Sequence, residues 1–248
     1  MIEYLPENAQ FPLYHKLNKD AIFIEIASDF AIYGKDSYKH NAFFWKQGEE
    51  AYISMRNSLM KIAGKITDIE ELLSFISFTC PEYILISEEE ATKLPYKVIE
   101  KGDILYLKIK EKREISNEDL FIPDLIKLSS FFKKENMYKN EEAFLLDSSY
   151  ALSKNSAEFI GIKDEDTIVS AVYSGKIFEN SAIIEIVATN KDNRRKGYGK
   201  ILVNSLINKL IDKNITDFYI FKESDKNNEF YSKLEFIKIQ NFVTLKIN

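Results

Sequence analysis

The stretch VATNKDNRRKGYGK, residues 187–200, sets two of the chain's eight glycines two positions apart, directly behind the consecutive cations Arg194, Arg195 and Lys196. Upstream, SAIIEIVAT (181–189) is an apolar, β-branched run of strand length. Downstream, Ile201, Leu202, Val203, Leu206, Ile207, Leu210 and Ile211 recur at three- and four-residue spacing, which predicts one amphipathic helix with Asn214 as its stop. Glycines and cations thus fall between a strand and the first turn of a helix, where backbone N–H groups have no intrahelical partner and the helix dipole is positive. Such an end binds anions. Gly197 and Gly199 let the chain turn tightly and bring those N–H groups close to a ligand, while Arg194, Arg195, Lys196 and Lys200 add charge suited to a pyrophosphate. Without its flanks, the same NRRKGYGK would read as a solvated cationic face.

Working outward, PDLIKLSSFF, opened by Pro123, and EEAFLLDSSYALS carry apolar residues at helical spacing. AEFIGIK and TIVSAVYSGKI flank DED as a hairpin, and TDFYIF, NNEFYSKL and FIKIQNFVTLKI follow as a strand, a short helix and a final strand or hairpin. The predicted order is ααβββαβαβ. A polar stretch, KIKEKREISNEDL (108–120), separates this region from an upstream one of different texture, with a boundary near 112 and hence domains 1–112 and 113–248.

Composition bounds the partners. With 248 residues, 45% hydrophobic and 13% aromatic, the chain is globular and long enough for one large or two ordinary domains. A formal net charge of −5 argues against general binding to nucleic acid or anionic membrane, so any basic site is local. One cysteine, Cys80, allows no intrachain disulfide, and with only His15 and His40 there is no Cys/His cluster at metal-ligand spacing. The N-terminus lacks a basic segment followed by an apolar one, and no run approaches the ~18 apolar residues of a membrane helix. A soluble, cytoplasmic protein is the expectation.

A mononucleotide P-loop requires GxxxxGK[ST] and a dinucleotide site GxGxxG; neither occurs here. The arrangement is R-x-x-G-x-G, from Arg194 through Gly197 to Gly199, entered from a strand and leading into a helix. This resembles the pyrophosphate motif of the GNAT superfamily of acyl-CoA N-acyltransferases. The element order from about 117 to 248 is similar to that family's fold, an α/β (α+β) mixed, mostly antiparallel sheet flanked by helices. EFYSKLEF (229–236) resembles its second signature, FYxKLGF.

The resemblance implies transfer of an acetyl or longer acyl group from acetyl-CoA, or another acyl-CoA, to an amine by direct attack, with no metal. The acceptor would be a small molecule or a peptide or protein amine, and a homodimer is compatible with this. It also implies that the backbone of Val187, Ala188 and Thr189 pairs with the pantetheine amides, and that the stretch Arg194, Arg195, Lys196, Gly197, Tyr198, Gly199 and Lys200 holds the pyrophosphate. Tyr231 maps onto the family's usual general acid. By itself it would read as a core or half-buried aromatic. Glu185, an acid inside an apolar strand, is the candidate base, on the same side as Val187 and Thr189 by strand alternation; it reads equally as an edge or cleft-facing position. Where the family often carries an asparagine seven residues before the tyrosine, this chain has Ser224, with Asn227 or Asn228 as substitutes. Glu235 stands where the family has glycine, at a cost of about 1 kcal/mol if its φ is positive. A non-catalytic acyl-CoA-binding regulatory module is the competing functional class.

Upstream, AIFIEIA and FAIYG read as paired strands, AYISMRNSLMKIAG and DIEELLSFISFTC as helices, and EYILIS and DILYLKIK as strands. The helix–strand–short segment–strand order at its end repeats that of the second half, so a degenerate second copy of the GNAT fold is expected; such orders are also common in unrelated folds. Phe43, Phe44, Trp45 and Tyr52 would line either an acceptor cleft or a domain-interface core.

Overall fold

The computed structural model describes residues 1–9, 21–115 and 119–247. His15 and residues 116–118 of the polar stretch lie outside the described residues. The chain forms two compact units: Met1–Leu105 with Phe221–Lys226 and Lys238–Asn248, and Tyr106–Ile220 with Asn227–Ile237. A boundary near 112 would cut the chain once. The units are discontinuous because the last strand, β14 (Ile237–Lys246), pairs antiparallel with β5 (Tyr83–Ser87), Val243 opposite Ile86.

In the first unit β1 (Ile2–Tyr4), β2 (Ala42–Gln47), β3 (Ala51–Arg56) and β4 (Leu59–Gly64) form an antiparallel meander; β4 then runs parallel to β5, and β14 and β6 (Lys97–Lys108) follow. Helix α2 (Ile69–Thr79) is capped by Asp68, which accepts from the Glu71 amide, and packs Leu72 and Ile76 into a core with Ile53, Met60, Ile62, Ile84 and Leu245. The short helix α3 is Glu88–Ala91.

Two expectations fail in this unit. Residues 21–34 are a helix, α1 (Ile22–Tyr33), because Ile22–Asp29 are all buried and a helix buried all round shows no polar stripe to betray its period. Its acids Glu25 and Asp29 meet Lys61 at 2.6 Å each. Residues 51–64 are the β3–β4 hairpin, turned at Asn57 with φ +54°, a conformation asparagine tolerates. Within this unit Phe44 packs on Phe30 (5.0 Å between ring centroids), Trp45 on Phe75 (5.0 Å) and Tyr52 on Phe23 (5.2 Å).

In the second unit α4 (Leu125–Lys134) and α5 (Glu141–Ser153) are capped by Asp124 and Asn140. The strands β7 (Leu120–Phe121), β8 (Glu158–Asp164), β9 (Thr167–Ser174) and β12 (Ile186–Thr189) make a four-stranded antiparallel sheet in the order β12–β9–β8–β7. The predicted DED turn lies between β8 and β9. The strands β10 (Lys176–Phe178), β11 (Ser181–Ile183) and β13 (Asp217–Glu223) follow one another in the order β13–β11–β10, with β11 parallel to β13. Helix α6 (Tyr198–Ile211) and short helix α7 (Asn228–Ser232) complete it. Strand, helical segment, strands, helix, strand, short helix, strand: this order occurs in both halves of the chain, the fold class expected and its repetition.

Buried Asp103 offers a test of what holds the first unit. Burial pushes its pKa up, but bonds from Lys222 (2.8 Å), Lys238 (2.8 Å) and Ser224 (3.0 Å) outweigh that and hold the carboxyl at about 2, against an ordinary 3.8. A group depressed on folding stabilises above its unfolded pKa and loses that contribution as pH falls through the folded one. Between about pH 4 and pH 2 the urea midpoint of Asp103→Asn should therefore fall less steeply than that of the parent, and it should lie lower above pH 4. Parallel curves would exclude Asp103 from acid stability.

Candidate functional site

The run 181–189 is one strand in sequence and two in space. Successive amides of a strand point to opposite sides. That of Ile184 donates to the Tyr219 carbonyl at 2.9 Å, that of Glu185 to the Tyr173 carbonyl at 3.0 Å, and beyond this point β12 pairs with β9 while β11 stays on β13. The two strands part at Glu185. As the edge of its sheet, β12 turns the backbone N–H and C=O groups of alternate residues, Val187 and Thr189, away from β9, while Ala188 pairs with Ala171 and its carbonyl also accepts from the Ser170 hydroxyl at 2.9 Å.

The loop after β12 is braced from within. Asn190 accepts from the Asn193 amide at 3.0 Å, and Lys196 donates to Asn193 at 2.6 Å. The Arg194 guanidinium turns back, donating to the Thr189 carbonyl at 3.1 Å and facing Glu135 at 3.4 Å. Arg195 adopts φ +66° and Gly197 φ +88°. A Cβ on Gly197 would meet nothing within 4 Å, so the space in front of the helix is open. At Gly199 a Cβ would lie 3.3 Å from the Phe230 ring and 3.8 Å from Val187; here glycine permits close packing of α6, α7 and β12. Helix α6 has no acid in its first turn and starts with no side-chain cap, whereas Asp68, Ser87, Asp124 and Asn140 cap α2, α3, α4 and α5. Arg195, Lys196, Gly197 and Lys200 are exposed, and Tyr198 is half-buried.

Tyr231 is buried on α7, its ring against Phe230 (4.9 Å) and Phe236 (6.1 Å), and burial pushes its phenol up to about 12. Asn228 opens α7 and is exposed. Glu185 accepts from the Gly175 amide at 2.7 Å and faces Lys176 at 3.7 Å. Ser224 is committed to Asp103. Glu235 has φ +64°, and its carboxylate is held by Arg113 at 2.8 Å; that guanidinium also donates to the Leu234 carbonyl and Asn204, each at 2.9 Å. Arg113, inside the polar stretch, carried no sequence signal of this role; nor did Gly175.

In the first unit the corresponding loop, between β4 and α2, is filled. The Ile66 amide donates to Glu90 (3.0 Å), those of Thr67 and Asp68 to Gln47 (3.1 and 3.3 Å), and Glu70 and Glu71 place negative charge in the first turn of α2. Gly64 has φ +86°, but a Cβ there would fall 1.8 Å from the Glu50 carbonyl oxygen. The amides leading into α2 are thus occupied and its first turn is acidic, whereas no side chain caps α6.

Among the described residues no group of three or more His, Cys, Asp or Glu side chains could hold a metal ion, and no helix is long and apolar enough to cross a membrane.

Residues 159–245 match the family model described as FR47-like protein, which spans both the glycine loop and the Tyr231 segment. No curated protein matches the sequence. Among solved structures the chain is similar to a tandem GNAT protein from the clavulanic acid biosynthesis pathway (TM-score 0.60, 9% identity, 100% of this chain and 98% of that one). It is also similar to a GCN5-related N-acetyltransferase from Sphaerobacter thermophilus (0.60, 9%, 99% and 95%) and to a GNAT-family acetyltransferase from Colwellia psychrerythraea (0.57, 13%, 100% and 100%). At these identities the likeness is one of fold: the chain has the GNAT fold, and over nearly its whole length that of a tandem GNAT protein.

Proposed function

We propose that this chain, with its GNAT fold and FR47-like segment, is an acyl-CoA-dependent N-acyltransferase, most simply an acetyl-CoA-dependent one, acting on an amine. The observation that supports this most is the pairing of a parted strand with an uncapped, open helix start at Gly197, since the two together suit the two ends of one long ligand. The free edge of β12 takes the pantetheine amides and orients the thioester. The amides at the start of α6, with Arg195, Lys196 and Lys200, take the pyrophosphate. Arg194 acts indirectly, fixing the end of β12 through the Thr189 carbonyl.

An acceptor amine attacks the thioester carbonyl carbon; the C–N bond forms, the C–S bond breaks, and no enzyme group is acylated. Glu185 accepts the proton the amine must lose. A phenol near 12 keeps its proton throughout the physiological range, and full transfer to a thiolate of much lower pKa is uphill. Tyr231 therefore stabilises the departing thiolate as a hydrogen-bond donor, rather than by the nearly matched transfer that an unperturbed phenol would allow. The filled loop of the first unit implies one acyl-CoA per chain.

Two measurements test this. Calorimetric titration with acetyl-CoA should give one site per chain, and two equivalent sites would refute the reading of the first unit. A screen of small amines and peptides for coenzyme A release should reveal turnover; tight binding with no turnover of any amine would make the chain a binding module.

A further inference from the structure

Gly175 follows β9 directly and is buried, and its backbone is not in the left-handed region, so no conformational demand explains the absence of a side chain. Space explains it. A Cβ there would lie 2.4 Å from Glu185 Oε2 and 2.5 Å from the Tyr173 hydroxyl: carboxylate and phenol converge on the volume that any other residue would fill. The Gly175 amide donates to the same Oε2 at 2.7 Å, and the Lys176 ammonium stands 3.7 Å from Oε1. Tyr173 is held by its ring, packed on Phe144 (5.2 Å) and Phe159 (6.5 Å), while its carbonyl accepts from the Glu185 amide. The groups facing the carboxylate thus come from β9 (Tyr173), the Gly175 turn and β10 (Lys176); β13, on the other side, contributes the Tyr219 carbonyl to the neighbouring Ile184 amide.

We propose that Gly175, Tyr173 and Lys176 form a cradle that keeps Glu185 ionised and fixed where β11 and β12 part, making Gly175 and Tyr173 positioning residues for proton acceptance from the acceptor amine. The inference rests on the reading of Glu185 as that acceptor. A donated N–H, a nearby ammonium and a phenol each favour the charged carboxylate, so it waits as an anion that draws the acceptor's ammonium form toward the thioester. The ammonium first loses one proton to solvent, which frees the lone pair that attacks; as the nitrogen then forms its bond to carbon and the C–S bond breaks, its second proton passes to Glu185 and from there to solvent, the thiolate leaving with coenzyme A.

The test is a pH titration of the glutamate carboxyl carbons by NMR in the full-length protein, with Glu185→Gln assigning the resonance. In the parent Glu185 should titrate below the usual glutamate value of about 4.3. Gly175→Ala should raise it by about one unit or more, and Tyr173→Phe, which adds no bulk, by less. With an amine that the parent turns over, Gly175→Ala should lower kcat about tenfold or more while acetyl-CoA affinity holds. An ordinary or raised value in the parent, or one unmoved in both variants, overturns the cradle. Full turnover by Glu185→Gln, with the titrations as expected, overturns only the premise that Glu185 accepts the proton.

Discussion

Gly197→Glu is expected to abolish the response to acetyl-CoA. A ligand that binds only the folded state stabilises it by about 4 kcal/mol at a thousandfold excess over Kd, which for units of this size raises the melting temperature by roughly 15 °C. The variant puts a carboxylate at the mouth of α6, where the pyrophosphate would lie and where no other side chain stands within 4 Å of the glycine's missing Cβ. It also places a non-glycine residue at φ +88°, which costs about 1–2 kcal/mol and lowers the ligand-free melting temperature. Gly197→Ala separates the two effects. It carries the same strain without the charge, so its ligand-free melting temperature should drop similarly while part of the acetyl-CoA response survives. ATP and NAD should raise the parent's melting temperature much less than acetyl-CoA. An undiminished acetyl-CoA response in Gly197→Glu would remove this loop from the site, and with it the assignment.

The legibility of this loop has a physical cause. Strand, glycines and helix are contiguous, and each declares itself by local chemistry: β-branched residues in 181–189, positive-φ glycine at 197, apolar spacing from 201 to 211. What stayed hidden depends on distance or on burial. Helix α1 could not be told from strands because its polar residues, Glu25 and Asp29, are buried and answered by Lys61, more than thirty residues away. The first unit's loop is closed by Gln47 and Glu90, each 20 or more residues from the amides they occupy. Glu235 does take the positive φ that would make it costly there, but the sequence offered no hint that Arg113 would hold it, 122 positions away. Gly175 lies inside TIVSAVYSGKI, which reads as one unbroken strand; only the folded chain shows a carboxylate and a phenol leaning into its empty side.

The second large effect is expected at Tyr231. Tyr231→Phe deletes one hydroxyl and keeps the ring, so the packing on Phe230 and Phe236 and the affinity for acetyl-CoA should change little. Loss of a proton donor to a leaving group costs typically 10²- to 10⁴-fold in rate. With burial pushing the phenol up to about 12, the contribution proposed for it is a hydrogen bond to the thiolate rather than a completed transfer, which places the expected fall in kcat toward the lower end, about 10²-fold. The same value means that Tyr231 adds no alkaline limb to the parent's pH–rate profile below about pH 11. The deficit of the variant should shrink with an acyl donor whose leaving group has a lower pKa, since a better leaving group has less need of stabilisation. Glu185→Gln should respond to a different variable: its deficit should diminish as pH rises and more of the acceptor amine is already neutral. Two variants sensitive to two different properties, leaving-group pKa and amine protonation, would separate the roles of the two residues. Full activity of Tyr231→Phe on an amine that the parent turns over would make the tyrosine a packing residue, held in place by the same close approach of Phe230 to Gly199 that positions α7.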